Sequence, residues 1–447
     1  LVLDNHKLST IAKYFGIEQK DYHNSLEDAC VCGQIFYQLF DDYNFSLTPK
    51  YIEPLKKVIK NPNLKFLSEI NFNFIPNSFS VRNALDRKAS TRIYRFAAPK
   101  YSTWEDRKFS WNRDYTLTWD FTRSLKFNFS ARNEAAVDEI TFNPLRQTHV
   151  NPITGEAVDA SERGKFVREN LANFGRNKDY KHNFTLAYAV PTRLFLYLDF
   201  VTIRTQYTAN YNWAAGSLNS IDSLGSVISN GQTISLTNEF NFTTLYGKSK
   251  FLKKYSGEGV SSGRFRPANK SRENAKPEET EKGTKNKKEK SEKVNPFIKV
   301  AVTPLIMLKR VQLNFSQNRA TTIPGFMERP EILGMNGGFA APGWDFISGK
   351  QPDFGKNGWL DRIAEKGWIS ANCYFNKEML QKKSNTIGAK LKIEPVRDFN
   401  IDLNIDRNFT RDHAETFKLD SVFGTNQMAF QHFTPFENGQ YTISYVS

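Results

Sequence analysis

The stretch that decides the fold is YTLTWDFTRSLKFNFS, residues 115–130. Large apolar residues take every second position on both sides of a short polar turn, Thr122-Arg123-Ser124, and polar residues alternate with them. Successive side chains of a β-strand point to opposite faces, so this period of two predicts a β-hairpin with one apolar and one polar face. The mean hydropathy of the whole chain is −0.56, so the chain is polar on average. The sequence of the hairpin therefore does not say what its apolar face contacts.

The same alternation recurs along the chain after residue 41. Further alternating stretches are EINFNF (69–74), FTLAYAV (184–190), VTIRTQYTANYNW (201–213), ISLTNEFNF (234–242), VQLNFSQN (311–318) and IGAKLKIEPVRDFNIDLNID (387–406). These runs predict an all-β fold. The pattern is typical both of soluble sheets with one buried face and of transmembrane β-barrels, whose strands need only about 9 to 11 residues.

Composition narrows the protein class. Of the 447 residues 39% are hydrophobic and 14% aromatic, and this concentration of apolar content in rings favours strands. No run approaches the roughly 20 consecutive apolar residues of a membrane helix, which excludes a helical membrane protein. The net charge of +15 is compatible with nucleic acid, an anionic membrane surface or a solvated basic lumen. Cys30, Cys32 and Cys373 form neither a disulfide framework nor a CxxC pair.

The spacing of the runs predicts tight turns at residues 122–124 and 395–398. The predicted long connections are about 132–180, 214–231 and 318–385. Outer-membrane barrels have short periplasmic turns and long outer loops, and globular all-β domains rarely need loops of that length. The chain begins at Leu1 and stops at Ser447 inside another alternating run, so we expect a piece of a longer protein.

In a barrel the apolar side of each strand meets lipid and the polar side lines a water-filled lumen. The predicted lipid-facing residues are Leu117, Trp119, Phe121, Phe127, Ile203, Tyr207, Leu236, Phe240, Leu391, Ile401 and Leu403. The predicted lumen-facing residues are Thr118, Asp120, Lys126, Arg204, Gln206, Lys392 and Asp402. Trp104, Trp111 and Trp213 lie near strand ends and are expected in the aromatic girdles of the membrane interfaces.

Residues 267–293 differ from the rest, because they contain no aromatic residue and no Leu, Ile or Val. Such a segment cannot bury enough apolar surface to offset the entropy of ordering. It predicts a disordered, charged linker over about 255–295, which strand parity places on the short-turn, periplasmic side. Its basic run EKGTKNKKEKSEK is interrupted by glutamates, which favours a solvated linker over a nucleic-acid site.

Other motifs give weak signals. Gly334, Gly337 and Gly338 lack the strand-to-helix context and GK[ST] ending of a phosphate loop, so we interpret them as loop glycines. His413 and His432 have no metal-ligand spacing around them. We find no Ser/His/Asp or Cys/His arrangement for catalysis, and we expect neither a cofactor nor a metal.

Seven stretches resemble the SprA/Sov family, the outer-membrane translocon of the Bacteroidota type 9 secretion system, also linked to gliding motility. They keep their order along the chain: YNFSLTPKYIEP (43–54), NFNFIPNSFSVR (71–82), FGRNKDYKHNFTLAY (174–188), LDFVTIRTQYTANYNWAAGS (198–217), LYGKSKFLKK (245–254), NFSQNRATTIPGF (314–326) and APGWDFISG (341–349). The resemblance implies that residues 41–447 are a fragment of a very large antiparallel transmembrane β-barrel in the cell outer membrane. It also implies secreted cargo proteins, other secretion-system components, plug proteins and outer-membrane lipid as partners, without nucleic acid.

Residues 1–40 carry apolar residues at helical spacing and resemble the C-terminal end of DnaQ-like proofreading exonucleases. The family's final His and Asp, five residues apart, match His23 and Asp28, which by resemblance would activate water and ligate a metal ion. The spacing of these two residues is equally compatible with surface positions at the start of a helix. The family's other acidic ligands would lie upstream of Leu1, and two-metal catalysis cannot be assembled from one carboxylate and one imidazole. We therefore expect an inactive helical remnant, joined to the barrel by gene rearrangement or misassembled sequence.

Three functions remain open from the sequence. The first is a non-enzymatic segment of a protein-conducting outer-membrane translocon. The second is a fragment of a metal-dependent 3'-5' exonuclease, and the third is a soluble β-rich binding protein at the cell surface. Folding in buffer without detergent would favour the third, because a lipid-facing surface cannot stay solvated without association.

Overall fold

The main body of the protein is one antiparallel sheet of 11 strands. The computed structural model describes residues 43–53, 71–95, 103–195, 198–249, 251–252, 302, 304, 306–396, 399–422 and 427–445. The strands are β1 (Tyr43–Ser46), β2 (Ser78–Ile93), β3 (Thr103–Asp120), β4 (Leu125–Ala136), β5 (Thr141–Asn143), β6 (Thr148–Val150), β7 (Arg176–Ala189), β8 (Val201–Ala214), β9 (Ser226–Asn241), β10 (Leu308–Phe326), β11 (Met379–Val396), β12 (Phe399–Ser421) and β13 (Met428–Tyr445). The predicted all-β class is confirmed.

The sheet is a meander, in which neighbouring strands follow one another in the chain except that β5 and β6 intervene between β4 and β7. Its order is β1-β2-β3-β4-β7-β8-β9-β10-β11-β12-β13, and β5 and β6 form a separate two-stranded hairpin. The strand order is linear, with β1 and β13 at its two edges.

Short helices lie in the connections. They are α1 (Arg163–Ala172), α2 (Ile221–Leu224), α3 (Phe242–Lys248), α4 (Trp344–Ile347) and α5 (Trp359–Glu365). Within the described ranges, none of the helices has the length and apolar character needed to cross a membrane.

The register assigns each side chain to one of two faces. Leu117 pairs with Phe129, which pairs with Phe184, and this row continues to Ala209 on β8. Residues directly opposite in an antiparallel pair share a face. All eleven predicted lipid-facing residues therefore lie on one side of the sheet, here called the apolar face. The seven predicted lumen-facing residues all lie on the opposite side, here called the polar face.

The two edges at which strands turn differ in their connections. The connection of residues 121–124 between β3 and β4 lies at one edge, here called the short-turn edge, where β11 also ends at Val396 and β12 begins at Phe399. The connections at the opposite, long-loop edge include residues 137–175, 215–225 and 327–378. These three match the predicted long connections but are shorter, because the strands extend further than the alternation indicates. The connection between β9 and β10 begins and ends at the short-turn edge, and the predicted linker residues 255–295 lie outside the described residues.

Two sequence predictions need correction or fall outside the structure. The stretch at residues 69–74, expected as a strand, contributes only an isolated bridge between Ile52 and Phe72 among its described residues. The strand of this region is instead β2, whose middle alternates poorly because it carries charged residues at several successive positions. The predicted helical remnant at residues 1–40, with His23 and Asp28, lies outside the described residues.

The three tryptophans expected in membrane girdles do not form them. Trp104 lies opposite Arg92 on the polar face. Trp111 is buried and stacks on Phe174, with ring centroids 5.9 Å apart. Trp213 is fully buried, and its Nε1 donates a hydrogen bond to a loop carbonyl. The girdle prediction is wrong because long loops fold back over Trp111 and Trp213 near the long-loop edge, and because Trp104 lies on the polar face.

Candidate functional site: the apolar face of the sheet

None of the described loops covers the half of the apolar face nearer the short-turn edge, which is here called the band. Its members are Leu117, Trp119, Phe121, Phe127, Phe184, Leu186, Ile203, Ile234, Leu236, Phe240, Val311, Leu313, Phe315, Ile387, Leu391, Ile401, Leu403 and Ile405. Leu313 is 39% exposed, and Ile387 and Ile405 are each 42% exposed. The band thus includes ten of the eleven predicted lipid-facing residues; the eleventh, Tyr207, lies at its border.

Aromatic rings connect neighbouring strands within the band. The ring centroids of Trp119 and Phe121 are 4.5 Å apart, and those of Phe121 and Phe127 are 6.1 Å apart. Phe127 and Phe184 continue the series at 6.1 Å. Pairs at this separation add to the stability gained from burial, by about 0.5–1.5 kcal/mol each. The hairpin that predicted the fold therefore contributes the aromatic end of the band.

The band crosses the sheet obliquely. On β3 the band member nearest the long-loop edge, here called the upper member, is Leu117. The hydrogen-bonded row through Leu117 reaches Arg411 on β12. On β12 the upper member is Ile405, six residues below Arg411, which is about 20 Å along the strand. The seven strand-to-strand steps between β3 and β12 span about 34 Å. The strands are therefore inclined by about 30° to the line that runs perpendicular to the band in the sheet.

The other half of the apolar face is covered by residues 327–378, here called the cover segment. This connection between β10 and β11, predicted as one of the long connections, contains α4 and α5. Its Phe346 and Leu360 pack with Trp213, Ile228 and Ile323 of the sheet, and each of these five side chains is at most 1% exposed. The cover segment supplies half of a hydrophobic core whose other half is the sheet.

Polar side chains of the sheet fix the cover segment by donating to its backbone carbonyls. Asn230 Nδ2 donates to the carbonyl oxygens of Phe346 and Lys350, at 2.8 and 2.9 Å. The Tyr207 hydroxyl donates to the Ser348 carbonyl oxygen at 2.5 Å. Tyr207, which we predicted to face lipid, thus lies under the edge of the cover segment. Each such bond contributes about 0.5–1.5 kcal/mol, so the contact is specific as well as apolar.

Glycines allow the cover segment to approach the strands closely. Gly349 has φ +88°, and a Cβ there would overlap the Gly231 carbonyl oxygen and approach Ala209 Cβ to 2.9 Å. Gly334 has φ +85°, and a Cβ there would lie 2.8 Å from the rings of Tyr180 and Tyr211. Only glycine combines this backbone conformation with so short a separation. Gly334 lies in a loop, as predicted, and packs against buried tyrosines.

A second loop, residues 137–175, covers the same side of the sheet at β2 and β3 and contacts the first residue of β7. Arg87 makes two hydrogen bonds to the carboxylate of Glu139, at 2.6 and 2.9 Å. Arg176 makes two to Asp138, both at 2.9 Å. Both carboxylates are buried, and bidentate pairs of this kind are the stronger class of charged hydrogen bond.

Two histidines that the sequence left without a role meet at one carboxylate. His413 Nε2 lies 3.3 Å, and His432 Nδ1 3.1 Å, from the carboxylate of Glu415, which is 3% exposed. Asp361 of α5 lies 3.6 Å from His432 Nε2, so this cluster joins the cover segment to β12 and β13. No group of His, Cys, Asp or Glu in the described part of the chain has the arrangement of a metal site. Sequence reasoning missed the cluster because Asp361 on α5 and His432 on β13 are distant in sequence from His413 and Glu415 on β12.

The polar face is hydrophilic through the middle of each strand. From β4 to β12 it presents mainly Ser, Thr, Asn, Gln, Gly and charged residues. Arg310 and Glu239 form an ion pair at 2.6 Å on this face, and the hydroxyls of Thr185 and Thr208 lie 3.3 Å apart. Such a surface can contact water but cannot form a dry core without many unpaired polar groups.

No protein-family profile matches the sequence, and no curated protein matches it. Among solved structures, the chain has 7% identity and a TM-score of 0.27 to the ferric-catecholate import receptor Fiu from E. coli K12. It has 10% identity and a TM-score of 0.23 to the siderophore receptor PiuA from Acinetobacter baumannii. Each match covers 82% of this chain, but only 43% of Fiu and 42% of PiuA, so the chain spans less than half of either receptor.

Proposed function

We propose that residues 41–447 form part of the wall of an outer-membrane β-barrel that conducts proteins and catalyses no reaction. The observation that carries this proposal is the uncovered, oblique apolar band opposite a hydrophilic face. A soluble monomer rarely exposes a contiguous apolar patch larger than a few hundred Å². In a membrane the same residues would contact lipid.

The tilt of the strands supports a barrel. Strands of outer-membrane barrels are inclined by roughly 35–45°, and the apolar belt around such a barrel is level with the membrane. An apolar belt that is level in the membrane must therefore cross successive strands obliquely, as the band crosses the rows between Leu117 and Ile405. This geometry also explains why Arg319, Lys383 and Arg411, in the row of Leu117, are charged: they lie above the band.

The mechanism we propose is passive conduction through a wet lumen. The band anchors the wall in lipid, and the polar face lines the path of the cargo. Because the polar face offers many small hydroxyl and amide groups in place of apolar side chains, it gives a passing protein little apolar surface on which to stick. The long-loop edge would be extracellular and the short-turn edge periplasmic.

The cargo and the secretion pathway are proposed from the resemblance to the SprA/Sov family. On that basis the substrates are folded proteins of type 9 secretion, including those of gliding motility, and the partners are secretion-system components and plug proteins. Complete closure of the lumen would need further strands beside β1 and β13.

Photo-crosslinking in the native membrane tests this assignment. A photoreactive amino acid at Gln206, on the polar face, is expected to capture secreted protein during export. The same amino acid at Leu236, on the band, is expected to capture lipid and no cargo. Capture of cargo at Leu236 and not at Gln206 would reverse the two faces and exclude the proposed lumen.

A further inference from the structure

A groove lies where the band meets the cover segment. Its volume is about 660 Å³, within the range of pockets that enclose small ligands. Leu117, Phe127 and Phe129 of the sheet line one side, and Ile332 and Trp344 of the cover segment line the other. The groove is therefore apolar along most of its length and continuous with the band.

One end of the groove holds a buried cation. Arg113 is 6% exposed and lines the groove four residues before Leu117, about 13 Å further toward the long-loop edge. Its Nη2 donates to Asn177 Oδ1 at 3.2 Å, and its guanidinium lies 4.8 Å from the centroid of the Trp111 ring. Its Nε has no hydrogen-bond partner, and no carboxylate pairs with it within the described ranges. A cation buried without an anion is unfavourable, so the site is complementary to a negatively charged group.

A second unpartnered polar atom lies beside this cation. Asn133 is the register partner of Arg113 on β4, is 7% exposed and lines the same groove. Its Oδ1 has no hydrogen-bond partner among the residues that the structure describes. The groove's carboxylate, Glu331, is on the exposed rim and forms no ion pair with Arg113 in the described part of the chain. A phosphate monoester could accept a hydrogen bond from Arg113 and donate its hydroxyl to Asn133.

We propose that this groove binds one acyl chain of an outer-leaflet lipid that carries a phosphate monoester, with the phosphate at Arg113 and the chain extending along Leu117 and Phe127 into the band. The inference rests on the outer-membrane location proposed above. The order of groups along β3 fits that location, because a charged group stands toward the long-loop edge and apolar groups follow toward the membrane interior. The bound lipid would also contact the cover segment through Trp344.

Binding of two matched lipids to the full chain in nonionic detergent tests the proposal. The probes are lysophosphatidic acid with a fluorescent acyl chain and a monoacylglycerol with the same chain, which differ only in the phosphate. We expect the phosphate lipid to bind about tenfold more tightly, as a buried charge-assisted hydrogen bond would provide. Equal binding of the two lipids to the unsubstituted chain would overturn the proposal, and this comparison needs no variant to fold.

Two variants and two controls locate the site. Arg113→Gln is expected to remove the preference for the phosphate lipid, and Ala131→Phe, which fills the groove, to reduce binding of both lipids at least tenfold. Arg132→Gln on the polar face and Ala389→Phe on the apolar face of β11 are expected to leave both affinities unchanged, because neither residue lines the groove. Wild-type binding by Ala131→Phe would show that the lipid lies elsewhere and contradict the proposal. Folding of the chain without detergent would instead contradict the proposed membrane function, so the two failures are distinguishable.

Discussion

The two halves of the apolar face differ in what covers them, although they lie on the same strands with the same side-chain alternation. On β10, Ile323 is fully buried beneath the cover segment, whereas Leu313, ten residues earlier on the same face, is 39% exposed. Alternation thus assigns a side chain to a face but does not determine its contact. The chain's own loops cover one half, and we propose that lipid covers the other half.

The largest expected effect of a single substitution is in the covered half. Trp213→Ala removes a fully buried ring from the core beneath the cover segment and is expected to destabilise the protein by about 3–5 kcal/mol. Trp119→Ala, in the band, is the matched control and should cost clearly less in detergent, because solvent or detergent replaces the ring. Denaturant titration of both variants measures the difference. Equal losses would mean that the two halves are buried alike.

A charge in the uncovered half gives the next largest effect. Leu403→Arg is expected to cost about 2–4 kcal/mol in a bilayer if this part of the band lies at the midplane. Asn404→Arg places the same side chain on the opposite face, one residue later, and is expected to be nearly neutral. Folding titrations in lipid vesicles compare the two. A larger loss for Asn404→Arg would contradict the assignment of the faces.

A smaller effect is expected where the cover segment meets the sheet. Gly349→Ala combines an unfavourable φ of +88° with overlap against the backbone of β9, and is expected to cost about 1–3 kcal/mol. Hydrogen exchange of the amides around Ser348 should become faster. Gly338→Ala is the control, because an added Cβ there meets nothing closer than 3.9 Å. Unchanged exchange in Gly349→Ala would show that the cover segment can move away from the sheet at no cost.

The smallest effect is expected on the polar face. Arg310→Gln breaks the ion pair with Glu239, whose side chain is 33% exposed while that of Arg310 is 54% exposed. Exposed pairs contribute about 0–1 kcal/mol, so the loss should be below about 1 kcal/mol and should vanish in high salt. Denaturation at two salt concentrations measures it. A loss comparable to that of Trp213→Ala would indicate that this face is buried.

The sequence predicted the sheet best where apolar and polar residues alternate strictly. In the hairpin of residues 115–130 and in the strands that carry Leu236 and Leu391, the register places every predicted residue on its expected face. Strand β2 was missed because charged residues such as Asp86 and Arg87 occupy both faces, so that no period of two appears. Its place in the sheet depends on pairing with β3, a contact that local sequence does not reveal.

The covered half could not be predicted from local pattern. Phe346 and Leu360 lie in two short helices among glycines and prolines, where neither a period of 2 nor one of 3.6 can develop. Their partners Ile228 and Ile323 belong to distant strands, and alternation gives both the same apolar parity as the band. The buried tryptophans were misassigned for the same reason. The local sequence around a Trp near a strand end is the same whether a loop or a membrane interface covers the ring.

A membrane-spanning sheet must present one face to lipid and the other to water, and labels on the two faces distinguish these environments. In a chain whose Cys30, Cys32 and Cys373 are replaced by serine, a single spin label is placed in vesicles at Leu236 or at its neighbour Ser235 on the opposite face. Relaxation by oxygen, which concentrates in lipid, and by a water-soluble nickel complex is then compared. We predict oxygen-dominated relaxation at Leu236 and nickel-dominated relaxation at Ser235; nickel-dominated relaxation at both positions would contradict a membrane-spanning sheet.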